Sequence, residues 1–439
     1  MRHLLYGAFW IGIYIILIMT PVFVLLIGQI PPGRGFWREL SVGLGFTSLS
    51  MMGMQFFLTG RFRRISAPYG IDVIYHFHRQ ISIIAFVFLV LHPLILLISS
   101  PLTITLFNPI LAPWWATIGV AGLAAFAIII ITSLKRIPLG IRYETWRLSH
   151  AFLSVAAVAF STAHILGVGY YVQEPLKRGL WIALAFSWII ALSYIRIVKP
   201  IIMLKHPYTV ERVVQERGNT WTLILKPDGH EGMSFRPGQF VWAKIGKSPF
   251  AIREHPFSFS SSAMRKGDLE ISIKELGDFT SQIGGVVPGT RVYLDGPHGT
   301  FTVDRHKANG YVFIAAGVGI TPIMSILRTM EDRRDRRPLF LFYSSRGWEE
   351  VTFREQLKTL EQHLNLHTIH ILTRESPEGW EGEQGRINAE MIARYLPEGR
   401  VDYEYFVCGP EPMQKAIKRD LARLGLPLEN VQSESFNFV

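Results

Sequence analysis

Six long apolar stretches fall in the first two hundred residues, near 4–28, 40–58, 71–98, 113–134, 145–167 and 179–198. A helix needs ~20 residues to cross the hydrocarbon core of a bilayer, and a spanning segment must satisfy its own backbone hydrogen bonds. These stretches are therefore expected to form a bundle of six membrane-spanning helices. The first is too long for a removable leader, and "MTPVFVLLIGQIPPG" carries no small-residue cleavage site. The net charge of +11 is placed largely in the loops. Arg61, Arg63, Arg64, Lys135, Arg136, Arg142 and Arg147 fall in or beside the second and fourth connections; Arg34, Arg38, Lys177 and Arg178 fall in the first and fifth. That bias predicts a plasma-membrane protein with both termini, and everything after Pro200, on the cytoplasmic side. It accounts for the basic balance without nucleic-acid binding. Cys408 is the single cysteine, which excludes an intramolecular disulfide.

Two of the stretches carry histidines at matching places. "HRQISIIAFVFLVLH" runs from His78 to His92, and "HAFLSVAAVAFSTAH" from His150 to His164. Fourteen steps of ~100° fall about 40° short of four turns, so each pair shares one helix face, with its members ~21 Å apart along the axis. Both helices run the same way through the bilayer. His78 and His150 therefore share the inner level, and His92 and His164 the outer. An imidazole in lipid needs a partner. Two at one depth on neighbouring helices suit the axial positions of a haem iron, and two levels suit two haems. Interhelical hydrogen bonding and a proton path are the alternatives. His76 lies 160° around the helix from His92 and is expected to face elsewhere. Arg79 and Arg147 lie near the inner histidines, placed either to hold haem propionates or to act as ordinary positive-inside anchors.

After Pro200 the pattern changes. "YTVERVVQ", "TWTLILK", "QFVWAKI", "LEISIKEL" and "RVYLDG", separated by turn residues, predict a small antiparallel β-barrel ending near Asp304. From Gly310 strands and helices alternate, which predicts a parallel sheet covered by helices. The expected domains are 1–200, 201–305 and 306–439. "AAGVGITPIMSIL" follows a strand and opens a helix. Gly317 and Gly319 allow a tight turn, and Thr321 and Pro322 begin a helix N-terminus suited to a pyrophosphate; the third glycine of the usual dinucleotide fingerprint is missing. Ser345 and Arg346, in "FYSSR", are placed either to hold a ribose 2′-phosphate, favouring NADPH, or as an exposed loop. Cys408, Gly409 and Pro410 end a later strand at the same sheet edge; Cys408 reads either as a core residue or as a nicotinamide contact.

The two histidine pairs, "HPFSFSS", "AAGVGITP" and "CGP" occur in this order, and the chain over nearly its whole length resembles the membrane ferric reductases and NADPH oxidases. The resemblance implies a six-helix core with two b-type haems, then a ferredoxin-reductase-like module made of an FAD barrel and an NADPH-binding α/β domain. It implies His78, His92, His150 and His164 as haem ligands. In "HPFSFSS", beginning His255-Pro256, it implies Phe257 against the flavin, Ser258 near its reactive ring and His255 toward its phosphates. Soluble relatives usually have arginine at the place of His255. "IKELGDFT" resembles the flavin pyrophosphate segment, with Lys274, Gly277, Phe279 and Thr280 as contacts; barrel core is the other reading of the phenylalanines. "DGPHG" (295–299) matches the turn between the two domains. An aromatic near the C-terminus is expected to stack on the flavin where nicotinamide must enter, and Phe436 fits better than Phe438. No EF-hand is expected ahead of the first span. The implied activity is transmembrane electron transfer from NADPH to an outer acceptor, O2 giving superoxide or a ferric chelate, with no obligate protein partner. A haem-flavin relay serving a periplasmic protein and a histidine-bearing transporter are the rivals.

Overall fold

The computed structural model describes residues 2–62, 69–397 and 400–434. The chain forms two compact units, and the second takes over at Lys199.

Among the described residues of the first unit, six helices are long and apolar enough to cross a membrane. They are α1 (Arg2–Val24), α2 (Phe36–Leu58), α3 (Ile71–Ser99), α4 (Trp114–Leu134), α5 (Tyr143–Val168) and α6 (Pro175–Ser193). These helices are apolar on all sides, so hydrophobicity alone does not choose their interfaces; small and polar residues do. Large residues such as Ile16, Phe152 and Phe186 face outward. The buried face of α2 instead carries Ser41, Ser48, Ser50 and Gln55, and the Ser48 hydroxyl donates to the Ala85 carbonyl of α3 at 2.7 Å. Helices α4 and α5 approach closely at Gly122, where an added Cβ would lie 3.0 Å from Ser161 Oγ. At Gly53 the Trp188 indole fills the space a side chain would need.

The last candidate span runs from Pro175 to Leu204, but it is not one continuous α-helix. α6 stops at Ser193, a π-helical turn covers Tyr194–Val198, and a short α7 (Lys199–Leu204) follows. Pro200 explains part of this, because proline lacks an N–H and fits only the first turn of a helix.

The second unit contains two six-stranded sheets. The first is antiparallel: β1 (Tyr208–Glu216), β2 (Thr220–Pro227), β3 (Phe240–Ile245), β4 (His255–Ser258), β5 (Leu269–Lys274) and β6 (Arg291–His298), in the order β4-β3-β6-β1-β2-β5. Phe259, just past β4, bridges Ile271 of β5 and so brings the two edges together. The sheet thus curls into a barrel around Tyr208, Leu223, Val241, Phe259 and Ile271.

The second sheet is parallel, with β7 (Tyr311–Ala316), β8 (Leu339–Gly347), β9 (Leu366–Glu375), β10 (Glu383–Gln384), β11 (Glu404–Cys408) and β12 (Val431–Glu434) in the order β10-β9-β8-β7-β11-β12. Helices α8 (Ile320–Asp332), α9 (Arg354–His363), α10 (Ala389–Tyr395) and α11 (Glu411–Arg423) connect it. Every residue from Tyr311 to Ala315 is buried, as expected of a strand covered on both faces. The chain moves outward from β7 to β10 and returns to β11 on the other side of β7. The strand order therefore reverses between β7 and β11, and in such sheets ligands bind beyond the carboxyl ends of the strands at that reversal.

Candidate functional site

Helices α3 and α5 bring the four histidines into two pairs. His78 meets His150 and His92 meets His164, with ring centres 6.5 Å apart in both. A direct imidazole–imidazole hydrogen bond would draw the centres to ~5.2 Å. An iron with two bonds of ~2 Å holds them at ~6.3 Å, so the gap fits an axially ligated metal. His76 is exposed and belongs to neither pair.

The other nitrogen of each ring is already engaged. His164 Nδ1 donates to the Trp115 carbonyl (2.7 Å) and His92 Nδ1 to the Ser41 carbonyl (2.9 Å). The Ser41 hydroxyl donates to the His92 carbonyl, which leaves its oxygen facing the same ring nitrogen. His78 Nδ1 lies 2.7 Å from Gln55 Oε1, and the amide is fixed in that sense because its Nε2 donates to the Met51 carbonyl. His150 Nδ1 faces Ser133 Oγ at 3.3 Å, where Trp146 Nε1 also donates. An acceptor at Nδ1 leaves the Nε2 lone pair for a ligand bond, as metal-binding histidines are usually oriented. Among the described residues no three His, Cys, Asp or Glu side chains converge. Each site therefore offers two nitrogens, the donor set of a metal carried in a macrocycle.

A cavity of about 450 Å³ lies at the outer pair, lined by His92, His164, Gly45, Gly119, Leu49 and Leu89 among others. A Cβ at Gly119 would sit 2.5 Å from His164 Nδ1, and one at Gly45 would sit 3.3 Å from His92. Both glycines leave room for the rings. Arg34 and Arg38, read from sequence only as outer-loop charges, stand on the cavity wall. Arg34 is held there over the Tyr170 ring at 3.7 Å. At the inner pair, Arg79 is exposed and Arg147 half-buried.

On the barrel, β4 carries His255, Pro256, Phe257 and Ser258. His255 stacks on Phe279 with centres 3.9 Å apart, and Phe257 lies nearly parallel to Phe279 at 6.4 Å. These rings are half-buried rather than sealed in the core, so they offer flat apolar faces to a planar group. Ser258 is buried. The loop after β5 is shaped by Thr280, whose hydroxyl accepts from the amides of Leu276 and Gly277. The Lys274 ammonium, at the end of β5, lies 3.9 Å from Glu350 Oε2 in the turn after β8.

The carboxyl ends of β7 and β11 meet at the strand-order reversal. Gly317 has φ +53°, and a Cβ on Gly319 would lie 2.3 Å from the Cys408 carbonyl, so the turn closes only with glycine there. Thr321 and Pro322 are buried in the first turn of α8, and the Thr321 hydroxyl has no protein partner. A buried orphan hydroxyl at a helix N-terminus suits an anionic group. Arg346 is exposed at the end of β8, next to buried Ser345. Cys408 is wholly buried, and burial pushes its thiol above its ordinary pKa. What the edge presents beyond it is the Gly409-Pro410 turn leading into α11. Glu434, paired with Cys408 across β11 and β12, is also buried and its pKa is raised by burial; nothing in its local sequence distinguishes it from a surface glutamate. Phe436 and Phe438 lie outside the described residues.

Comparison with known proteins matches three separate stretches of the chain. Residues 44–161 match the ferric reductase like transmembrane component, 220–302 an FAD-binding domain and 313–419 the oxidoreductase NAD-binding domain. The chain is 27% identical to the glycine betaine monooxygenase reductase subunit of Chromohalobacter salexigens, over 53% of its own length and 64% of that protein's. It is 30% identical to the sulfhydrogenase 1 subunit gamma of Pyrococcus furiosus, over 52% of this chain and 79% of that one. The FAD/NAD binding domain of nitric oxide dioxygenase from Vibrio cholerae aligns with TM-score 0.47 and 21% identity, covering 52% of this chain and 97% of that one. The three matched stretches together give this chain the domain architecture of the ferric reductase and NADPH oxidase-like proteins: a ferric-reductase-like transmembrane component followed by FAD- and NAD-binding domains.

Proposed function

We propose that this chain draws electrons from cytoplasmic NADPH and delivers them across the membrane to O2 on the outer side, giving superoxide. The observation that carries this reading is the two matched imidazole pairs, each with a metal-sized gap and with Nδ1 engaged. FAD, when bound, would supply the conversion of a two-electron donor to one-electron chemistry, and two b-type haems would supply one-electron sites. The chain's part is to hold these groups in reach of one another. His78 and His150 hold the inner iron, His92 and His164 the outer. Phe257, Phe279 and His255 pack the flavin, with Ser258, Lys274, Gly277 and Thr280 on its polar groups. The Gly317–Gly319 turn and Thr321 take the nucleotide pyrophosphate, Ser345 and Arg346 the 2′-phosphate, and the Gly409-Pro410 turn beyond the buried Cys408 the nicotinamide. The working divisions are 1–200, 201–305 and 306–439. An inside-negative membrane potential favours outward electron flow by up to ~2.3 kcal/mol per charge for each 100 mV crossed.

A second reading has a specific support. Arg34 and Arg38 on the outer cavity wall suit haem carboxylates, and they suit an anionic ferric chelate equally well. A third, delivery to a protein partner, draws on the two relatives named as subunits of larger enzymes. One set of measurements on the purified protein separates them. Dithionite is expected to give the sharp bands of low-spin b-type cytochrome; a spectrum without them sinks the proposal. NADPH in air is expected to give superoxide. Rapid Fe3+ reduction under nitrogen with negligible superoxide in air favours the chelate, and failure of both acceptors after full reduction favours a protein.

A further inference from the structure

Helix α8 has two tasks at two places along its length. Its first turn closes the glycine turn at the strand-order reversal and carries Thr321. Further on, Ser325, Arg328 and Thr329 form one stripe at i, i+3 and i+4, and this stripe faces the barrel. The Ser325 hydroxyl donates to the Ser261 carbonyl at 2.8 Å. Arg328 Nη1 donates to the Ser260 carbonyl at 2.8 Å and to Glu270 Oε2 at 2.6 Å. The Ala263 amide donates to Thr329 Oγ1 at 2.9 Å. Ser325 and Thr329 are fully buried, and Ser261 nearly so. Residues 260–263 directly continue the segment that begins at His255 and carries Phe257 and Ser258. One rigid helix thus ties the nucleotide turn to the flavin segment.

We propose that Arg328 is a positioning residue for hydride transfer. Its bonds go to Ser260 and Glu270, and through them it fixes the register between the nucleotide turn and the β4 segment. The two hydrogens of the one Nη1 serve both acceptors, so a carbonyl and a carboxylate are held at a single charged donor. The step concerned breaks the nicotinamide C–H bond and forms an N–H bond on the flavin, moving two electrons. Its rate falls steeply with sub-ångström misplacement. The inference rests on the reading that NADPH reduces FAD in this protein.

The test is anaerobic single-turnover flavin reduction by NADPH in the full-length, FAD-loaded protein. Arg328→Met is expected to slow the limiting rate about tenfold or more, while the NADPH concentration for half-maximal rate stays within about twofold. It is also expected to weaken the long-wavelength charge-transfer band between nicotinamide and flavin. Arg328→Lys is expected to restore most of both, and Glu270→Gln, which keeps the Ser260 bond, to fall between. A native limiting rate in Arg328→Met overturns the proposal. So does a change confined to NADPH affinity, and so does loss of FAD from both Arg328→Met and Glu270→Gln. A native protein whose flavin takes no electrons from NADPH sinks the underlying reading instead.

Discussion

Single residues at these sites act mostly through what holds them. A hydrogen bond at one imidazole nitrogen fixes the tautomer and aims the other nitrogen at a ligand, and the outer pair is held by main-chain carbonyls at Ser41 and Trp115 that no substitution removes. The inner pair depends on side chains, Gln55 and Ser133. At the nucleotide end, Arg346 is exposed and free to reach a phosphate. Arg346→Ala is expected to lower the NADPH-to-NADH ratio of kcat/KM about tenfold, the worth of one charge-assisted contact; steady-state kinetics with both nucleotides measures it, and an unchanged ratio removes Arg346 from this role. Glu434 gives a pH prediction. Burial raises its pKa in the folded protein, so it binds its proton more tightly folded than unfolded. It therefore favours the fold below the ordinary carboxylate pKa, and this contribution is lost as pH rises from there through the raised folded value. Glu434→Gln, neutral at every pH, is expected to lose less melting temperature than the native protein between about pH 5 and pH 8. Parallel melting curves would show that Glu434 is charged in the folded state.

At the scale of elements, helix periodicity sets the two histidine levels. One residue inserted into α3 between Val87 and Phe88 turns His92 by ~100° and shifts it by ~1.5 Å relative to His78. Haem content is expected to fall from two per chain to one, while the same insertion beyond Ser99 leaves both. Pyridine-haemochrome titration counts them, and two haems retained after the first insertion would disprove the ligand assignment. Much at this scale was legible in sequence. The six spans and the other barrel and sheet strands lie close to their expected places, because apolar length and the alternation of two and 3.6 are local properties. The short strands β4 and β10 were not among those expected, and neither were two further features. The break at Ser193 depends on how the chain leaves the bundle, and the edge-to-edge bridge between Phe259 and Ile271 joins residues from separate strands.

For the whole molecule, the basic-loop bias predicts which side each unit serves. Cys408 is the chain's single cysteine and is buried, so introduced cysteines report without background from exposed thiols. Ile104→Cys, in the exposed connection between α3 and α4, is expected to react with an impermeant maleimide in intact cells. Val401→Cys, on the second unit, is expected to react only in inverted vesicles. The reverse pattern would invert the topology and place nucleotide binding outside.

Composition and spacing along the chain are enough to define a membrane-spanning half and a nucleotide-binding half, and to put four histidines at two depths. Those properties follow from local composition and helical repeat. Packing settles the rest: which histidines face each other, what engages their Nδ1 atoms, that Gly45 and Gly119 make room for the rings, and that α8 reaches Ser260, just past β4, through Arg328. These depend on side chains far apart in the chain, and only packing brings them within hydrogen-bond distance.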